Sequence, residues 1–284
     1  MEAGLQEMFY AMQGKQERLK ENLRAYGRLA VAFSGGVDSA FLLWAAADAL
    51  GRDQVLALTV VSDFFPYRER ERARAVCAQN GIRQIEVPVQ VLEVEGVATN
   101  PVNRCYLCKR ALFTRLIETA GENGIQTLAE ASNLDDEGDY RPGLVAVREL
   151  GVKSPLREAM LSKEEIRSLS RKAGLTTWDL PSFACLASRF AYGEKITVEK
   201  LAMVERAEQL LFDQGFRQLR VRVHGELPGL VARIELPAED LGRLLEPKLR
   251  DLVCRRLNEL GFAYVSLDLA GFRSGNMNKG IDKA

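Results

Sequence analysis

The chain carries a single histidine, His224, among its 284 residues, which excludes a metal centre built on several imidazoles. It has no surplus of either charge. Lys+Arg and Asp+Glu both total 39, so no net field draws it to bulk nucleic acid or to an anionic membrane, and an anionic ligand has to be recognised locally. No stretch approaches the roughly 18 apolar residues that a membrane span needs. From Met1 to Lys20 the sequence mixes Leu5, Met8, Phe9 and Met12 with charged side chains and lacks the apolar centre of an export signal, so it reads as an amphipathic helix and the chain as cytoplasmic. Internal repeats and low-complexity linkers are absent. The five cysteines, Cys77, Cys105, Cys108, Cys185 and Cys254, are an odd number without an export signal, which argues against a disulfide framework and for reduced thiols or metal ligands.

What is present is the profile of a globular protein, 47% hydrophobic and 27% charged, long enough for one large or two ordinary domains. The most informative stretch is Val31-Ala32-Phe33-Ser34-Gly35-Gly36-Val37-Asp38-Ser39, an apolar strand that breaks into a small-residue turn and opens a helix. Ser34, Gly35 and Gly36 keep side chains out of the way, so backbone N–H groups and the positive helix end can face an anion. No Lys-Ser/Thr pair follows, so this is not a Walker loop. The plain alternative is an ordinary strand-to-helix turn with Asp38 complementing the helix dipole; beside a phosphate nest the same carboxylate also suits a metal ion.

From about residue 28 to 155 apolar runs at Leu29–Phe33, Val55–Val61, Ile82–Val89 and Thr127–Ala131 alternate with helical segments. This predicts an α/β fold with a Rossmann-like, doubly wound parallel sheet whose ligand lies at the carboxyl ends of the strands. Ser34, Ser62-Asp63 and Ser132-Asn133 fall there. Ser162-Lys163-Glu164-Glu165 fits a capping box that starts a helix running to about Ala173. Past Thr197 the order becomes helix (about 198–213), strand (Gln218–His224), strand (Leu230–Leu236), helix (about 238–260) and strand (Tyr264–Leu269). We therefore expect domains at 1–190 and 191–284, the second a smaller C-terminal α+β domain.

Cys105 and Cys108 lie at the start of a helix, Tyr106 to Ala120, where one turn brings both sulfurs to one side and the positive helix end suits anionic sulfur. A redox pair, half a zinc site and part of an iron–sulfur cluster all remain open. Zinc wants four ligands, and only the isolated Cys185, His224 and Cys254 follow. Cys105, Cys108 and Cys185 together would leave one iron of a [4Fe–4S] cluster open to an exogenous ligand. Cys77, mid-helix, and Cys254, inside Leu252-Val253-Cys254-Arg255-Arg256-Leu257, read as small buried hydrophobes.

The segment at Ser34 resembles the SGGxDS signature of the PP-loop ATP pyrophosphatases, which cleave ATP between the α- and β-phosphates with Mg²⁺ near the loop. Asn103-Arg104-Cys105-Tyr106-Leu107-Cys108-Lys109, Glu130-Ala131-Ser132-Asn133-Leu134-Asp135-Asp136, Asp139-Tyr140-Arg141-Pro142-Gly143 and Pro181-Ser182-Phe183-Ala184-Cys185-Leu186-Ala187-Ser188-Arg189 together resemble the LarE family. The likeness runs from the loop at Ser34 to Arg273. It implies ATP-dependent sulfur transfer in nickel-pincer nucleotide synthesis, with the carboxylates of pyridinium-3,5-biscarboxylic acid mononucleotide adenylated and then thiolated. Some members spend the cysteine matching Cys185 as the sulfur donor. Others have three cysteines, as here, and the resemblance to these implies a cluster that relays sulfide from a donor. Family members form homo-oligomers.

The resemblance and the residues together nominate Ser34, Gly35, Gly36, Asp38 and Ser39 for the ATP phosphates, with Asp38 on Mg²⁺, and Glu130 and Asn133 for metal or substrate. Asp135 and Asp136 read equally well as solvated loop charges. Arg189, four residues past Cys185, suits a cation that activates that thiol or binds phosphate, its alternative being a surface arginine. Arg220 and Arg222 alternate on one strand and share a face, which suits a phosphate clamp or, more plainly, cross-strand ion pairs. Arg273 is a weaker candidate of that kind, and His224 reads as structural. Partners are a small nucleotide substrate and a sulfide donor. A tRNA-thiolating enzyme would combine a similar loop and cysteines but be expected to show a basic groove or extra zinc modules. An amide-forming synthetase leaves the cysteines unexplained, and a non-catalytic nucleotide-binding module would release no pyrophosphate.

Overall fold

The computed structural model describes residues 2–136 and 142–273, with side chains from residue 12 onward. Two compact units emerge: Met1–Val91 with Cys105–Phe183, and Leu92–Arg104 with Ala184–Ala284.

The first unit is built on β1 (Leu29–Ala32), β2 (Val55–Val61), β3 (Arg83–Pro88) and β4 (Thr127–Ala129), all parallel in the order β3-β2-β1-β4. Parallel strands with helices on both faces bury both sets of alternate side chains, and the two cores follow that alternation. Leu29, Val31, Val55 and Ala57 point to one face, where they meet Leu19 and Leu23 of α1 (Glu2–Tyr26), Phe41 and Leu42 of α2 (Val37–Leu50), Val76 of α3 (Tyr67–Asn80), and Ile166 and Leu169 of α7 (Lys163–Lys172). Ala30, Leu56 and Leu58 point to the other, against Phe113 and Leu116 of α4 (Arg104–Glu122) and Val147 of α5 (Pro142–Glu149). This is the doubly wound sheet that the alternating sequence predicts. Met12 of the amphipathic first helix packs onto the former core; Leu5, Met8 and Phe9 lie outside the described side chains. Two elements have no counterpart in the sequence-based reading, α5 and α6 (Pro155–Glu158).

Three strands make the sheet of the second unit: β5 (Arg220–His224) runs antiparallel to β6 (Val231–Glu235), which is parallel to β7 (Tyr264–Leu267). Packed on them are α8 (Val198–Asp213), which touches β5, and α10 (Pro247–Glu259), which touches β7. The helix expected over about 238–260 is two: α9 (Ala238–Leu244) ends before Pro247, which has no N–H to continue it and instead occupies the first turn of α10. No helix among the described residues is long and apolar enough to cross a membrane.

Candidate functional site

In the first unit the strand order reverses direction between β1 and β4, and an open parallel sheet binds its ligand in the crevice beyond the carboxyl ends of such a pair. Ser34–Gly36 leave β1 there, and Glu130–Asn133 leave β4. Gly35 has φ +74°, and a Cβ on it would sit 3.0 Å from the backbone nitrogen of Ala73 in α3, so the turn needs glycine on both counts. Gly36 caps α2 with no side-chain hydrogen bond to the first helical N–H groups, which leaves those donors for a ligand. The Ser34 and Ser39 hydroxyls lie 3.0 Å apart and brace the turn, Ser39 Oγ also donating to Gly36 O at 3.2 Å. Behind it Thr59 Oγ1 donates to Phe33 O at 2.9 Å.

Asp38, in the first turn of α2, accepts from Asn133 Nδ2 at 3.4 Å and from Lys163 Nζ. Asn133 is buried, and its loop is knotted by its own polar groups: Asn133 N donates to Asp136 Oδ2 (2.9 Å) and Asp135 N to Asn133 Oδ1 (3.0 Å). Asp135 Oδ2 in turn accepts from Lys163 N at 2.9 Å. Asp135, which is exposed, and Asp136 thus each hold a backbone N–H at this loop. Glu130 is buried and takes hydrogen bonds from Ser132 N (3.0 Å), Ser132 Oγ (2.7 Å) and Ser154 Oγ (2.5 Å), an arrangement that orders the loop after β4.

Lys163 is the functional candidate that sequence reasoning missed. Its signal was the capping box, which forms: Ser162 accepts from Glu165 N at 3.3 Å, and Glu165 accepts from Ser162 N at 2.8 Å and from Lys15 Nζ at 2.8 Å. The capped turn presents Lys163 to Asp38, a long-range fact that local pattern does not carry. Residues Asp139, Tyr140 and Arg141 lie outside the described residues, whereas Gly143 is described: a Cβ there would meet Lys109 Cδ at 2.7 Å and Cys105 O at 3.2 Å, so α5 crosses closely over the first turn of α4.

That first turn holds Cys105, half-buried, and Cys108, buried, three residues apart. Cys185, half-buried, caps the short 3-10 turn Leu186–Arg189 in the second unit. Three thiols have the donor chemistry of an iron–sulfur cluster. Among the described residues no three His, Cys, Asp or Glu side chains already converge as around a metal ion. Burial pushes the Cys77 thiol up to about 12, as expected of a small core residue.

Arg189 is no surface arginine. It is 1% exposed and forms a two-pronged ion pair with Glu208, Nε to Oε1 at 2.8 Å and Nη2 to Oε2 at 2.9 Å. Burial alone would raise the Glu208 carboxyl; the charge and hydrogen bonds of Arg189, with Arg220 and the Val221 amide, hold it below the usual carboxylate range. Arg222 Nε donates to Glu235 Oε1 at 2.6 Å, and Arg233 Nη1 reaches the same oxygen at 3.0 Å while also bonding Asp268. Arg220 stacks over Phe272, its guanidinium carbon 5.0 Å from the ring centre. Burial, with Arg189 beside it, pushes the Arg220 guanidinium down to about 10, despite Glu208 and Glu235 nearby. His224 accepts from Arg233 Nε at 3.0 Å, and burial together with the Arg233 charge holds its imidazole below the ordinary value. Arg273 is exposed, and Ser274-Gly275 lie outside the described residues.

A profile of the PP-loop domain matches residues 10–140. The chain is 38% identical over 95% of its length, and 96% of the relative, to the pyridinium-3,5-bisthiocarboxylic acid mononucleotide synthase of Lactiplantibacillus plantarum. It is 40% identical to the uncharacterized protein slr1717 of Synechocystis, over 96% of this chain and all of that one. It is 25% identical to the uncharacterized protein MJ0830 of Methanocaldococcus jannaschii, over 90% of this chain and 96% of that one.

Proposed function

The chain belongs to the LarE-type family of ATP-dependent sulfur transferases built on a PP-loop domain, and on that premise we propose that it adenylates the carboxylates of pyridinium-3,5-biscarboxylic acid mononucleotide and converts them to thiocarboxylates. The observation that carries this reading is the glycine turn at the sheet's switch point, with Asp38 held between Lys163 and Asn133. Ser34, Gly35, Gly36 and Ser39 would offer backbone N–H groups and hydroxyls to the ATP phosphates, and Asp38 would hold Mg²⁺, which when bound neutralises pyrophosphate as it leaves. With Asp38 engaged in holding the metal, the Lys163 ammonium that now pairs with it would be available to the same phosphates.

A carboxylate oxygen of the substrate attacks the α-phosphorus, the bond to the β-phosphate oxygen breaks, and pyrophosphate departs. A sulfur nucleophile next adds to the acyl carbon, the acyl–oxygen bond breaks, and AMP carries away the electron pair. Arg220 and Arg222, both buried and on one face of β5, would clamp the substrate's phosphate. Arg189 fixes the backbone at Cys185. Cys105, Cys108 and Cys185 would hold a [4Fe–4S] cluster, which when bound supplies hydrosulfide as the nucleophile.

Anaerobic purification with iron and sulfide analysis, on wild type and Cys105→Ala, tests the sulfur source. About four irons per chain, lost in the variant, would support the cluster. An iron-free protein whose Cys185 loses the mass of hydrogen sulfide in the reaction would show instead that Cys185 is the spent donor. Pyrophosphate release that depends on the mononucleotide tests the adenylation itself.

A further inference from the structure

Between Ala184 and Ser188, four backbone carbonyls accept hydrogen bonds from three guanidinium groups. Arg189 Nη1 donates to Ala184 O (2.7 Å) and Cys185 O (3.0 Å), Arg222 Nη1 to Ser188 O (2.8 Å), and Arg104 Nη1 to Ala187 O (2.9 Å). Arg189 and Arg222 are also paired with buried glutamates; Arg104 comes from elsewhere in the chain. It ends the segment Leu92–Arg104, which crosses into the second unit from the middle of the sequence, and it is 1% exposed.

That segment runs as a brace along residues 187–196. Arg104 Nη1 also bonds Asn100 Oδ1. Asn100 is fully buried in the left-handed region at φ +53°, which asparagine tolerates better than most residues. Its Nδ2 donates to Ala191 O at 2.6 Å, its carbonyl accepts from Gly193 N at 2.9 Å, and Ala98 O accepts from Ile196 N at 2.8 Å. Burying a guanidinium is a costly way to hold a turn, since a well-packed apolar group often serves stability as well or better. What the guanidinium adds is direction. It fixes a carbonyl two residues from Cys185, and so limits the rotation of the peptide planes that aim the thiol. A mechanism in which sulfur must meet an acyl carbon is sensitive to such aim.

We propose that Arg104 is a positioning residue for sulfur transfer, setting the backbone of the Cys185 turn through Ala187 O with Asn100 as its support. The proposal rests on the reading of Cys185 as the residue that handles sulfur. It separates Arg104 from the ATP-binding loop, which belongs to the other unit.

The test uses the whole chain, purified anaerobically, as wild type, Arg104→Lys and Asn100→Ala, supplied with ATP, Mg²⁺, sulfide and pyridinium-3,5-biscarboxylic acid mononucleotide. Arg104→Lys keeps the charge and loses the planar fork, so it is the variant that separates aim from charge. Thiocarboxylate formation is expected to fall about tenfold or more while pyrophosphate release stays near wild type, a split that general destabilisation does not produce. A second readout does not depend on the reaction: in the same proteins freed of iron by chelation, iodoacetamide alkylation of Cys185, followed by mass spectrometry, is expected to change by about threefold or more, with Cys254 unaffected. A parallel fall in both activities, or a Cys185 alkylation rate unchanged in Arg104→Lys, overturns the proposal. If wild type itself releases no pyrophosphate with this substrate, the functional reading fails, and the alkylation rates still decide the role of Arg104.

Discussion

Lys163 Nζ donates to Asp38 Oδ2, joining the first turn of α7 to the first turn of α2 at the mouth of the glycine turn. Each side chain of the pair is 24% exposed, open enough to solvent that the pair adds only modestly to stability, and its value lies in what it holds ready. Asp38→Asn removes the metal-binding charge and Lys163→Met the cation that would face the phosphates. Each variant is expected to fold with a melting temperature near wild type and to lose about a hundredfold in the rate of substrate-dependent pyrophosphate release. A Lys163→Met enzyme with near wild-type turnover at saturating ATP would remove Lys163 from the chemistry.

Gly35→Ala tests the turn itself. The left-handed φ and the approach of Ala73 N to 3.0 Å both oppose a methyl group, and the obstacle is helix backbone, which cannot swing aside. A cost of about 1–3 kcal/mol in urea unfolding is expected, together with loss of ATP binding because α3 is pushed from the loop. Unchanged ATP affinity would mean that the phosphates are held elsewhere.

Most of this architecture was legible in the sequence. The central strands are short, mostly apolar runs whose alternate residues fill two cores, and the glycine turn announces itself because its geometry is encoded within six residues. The capping box at Ser162 and Glu165 was readable for the same reason. What local pattern did not carry is which distant group each residue meets. Lys163 reads only as part of a capping box until the fold brings it to Asp38, and Arg189 reads as a partner for the Cys185 thiol or a phosphate, or else as a surface arginine, until Glu208, nineteen positions later, buries with it. The brace from Ala98 to Arg104 was invisible for a stronger reason: its hydrogen-bond partners lie between Ala187 and Ile196, about ninety residues on.

The buried Arg189–Glu208 pair predicts an acid limb in the stability curve. Glu208 titrates below its unfolded value of 4.5, so the folded state binds fewer protons than the unfolded chain in the interval between the two. The stabilisation is therefore present above about pH 4.5 and lost as pH falls through the folded value. Glu208→Gln leaves Arg189 buried without its counter-charge, for an expected loss of about 3–5 kcal/mol at neutral pH, and it should flatten the acid limb. Urea unfolding of both proteins at intervals between pH 7 and the acid transition measures this. A variant as stable as wild type at pH 7 would show the pair to be energetically idle.

Cys77 offers a control for every thiol argument. It is 2% exposed in the core between α2, α3 and the sheet, and burial alone pushes its thiol up to about 12, against an ordinary value of 9.0. A shift of that size reduces the thiolate fraction near pH 8 about a thousandfold, and the thiolate is the species that alkylates. Cys254, read from the sequence as a core residue, is only half-buried, so native Cys77 should stay unmodified by iodoacetamide while Cys254 reacts, and become as reactive as Cys254 once urea unfolds the chain. Cys77→Ala should cost about 1–2 kcal/mol through the small cavity it leaves and leave thiocarboxylate formation unchanged. Rapid native labelling of Cys77, or loss of sulfur transfer in the alanine variant at full occupancy of the folded state, would place this cysteine in the sulfur pathway and break its assignment to the core.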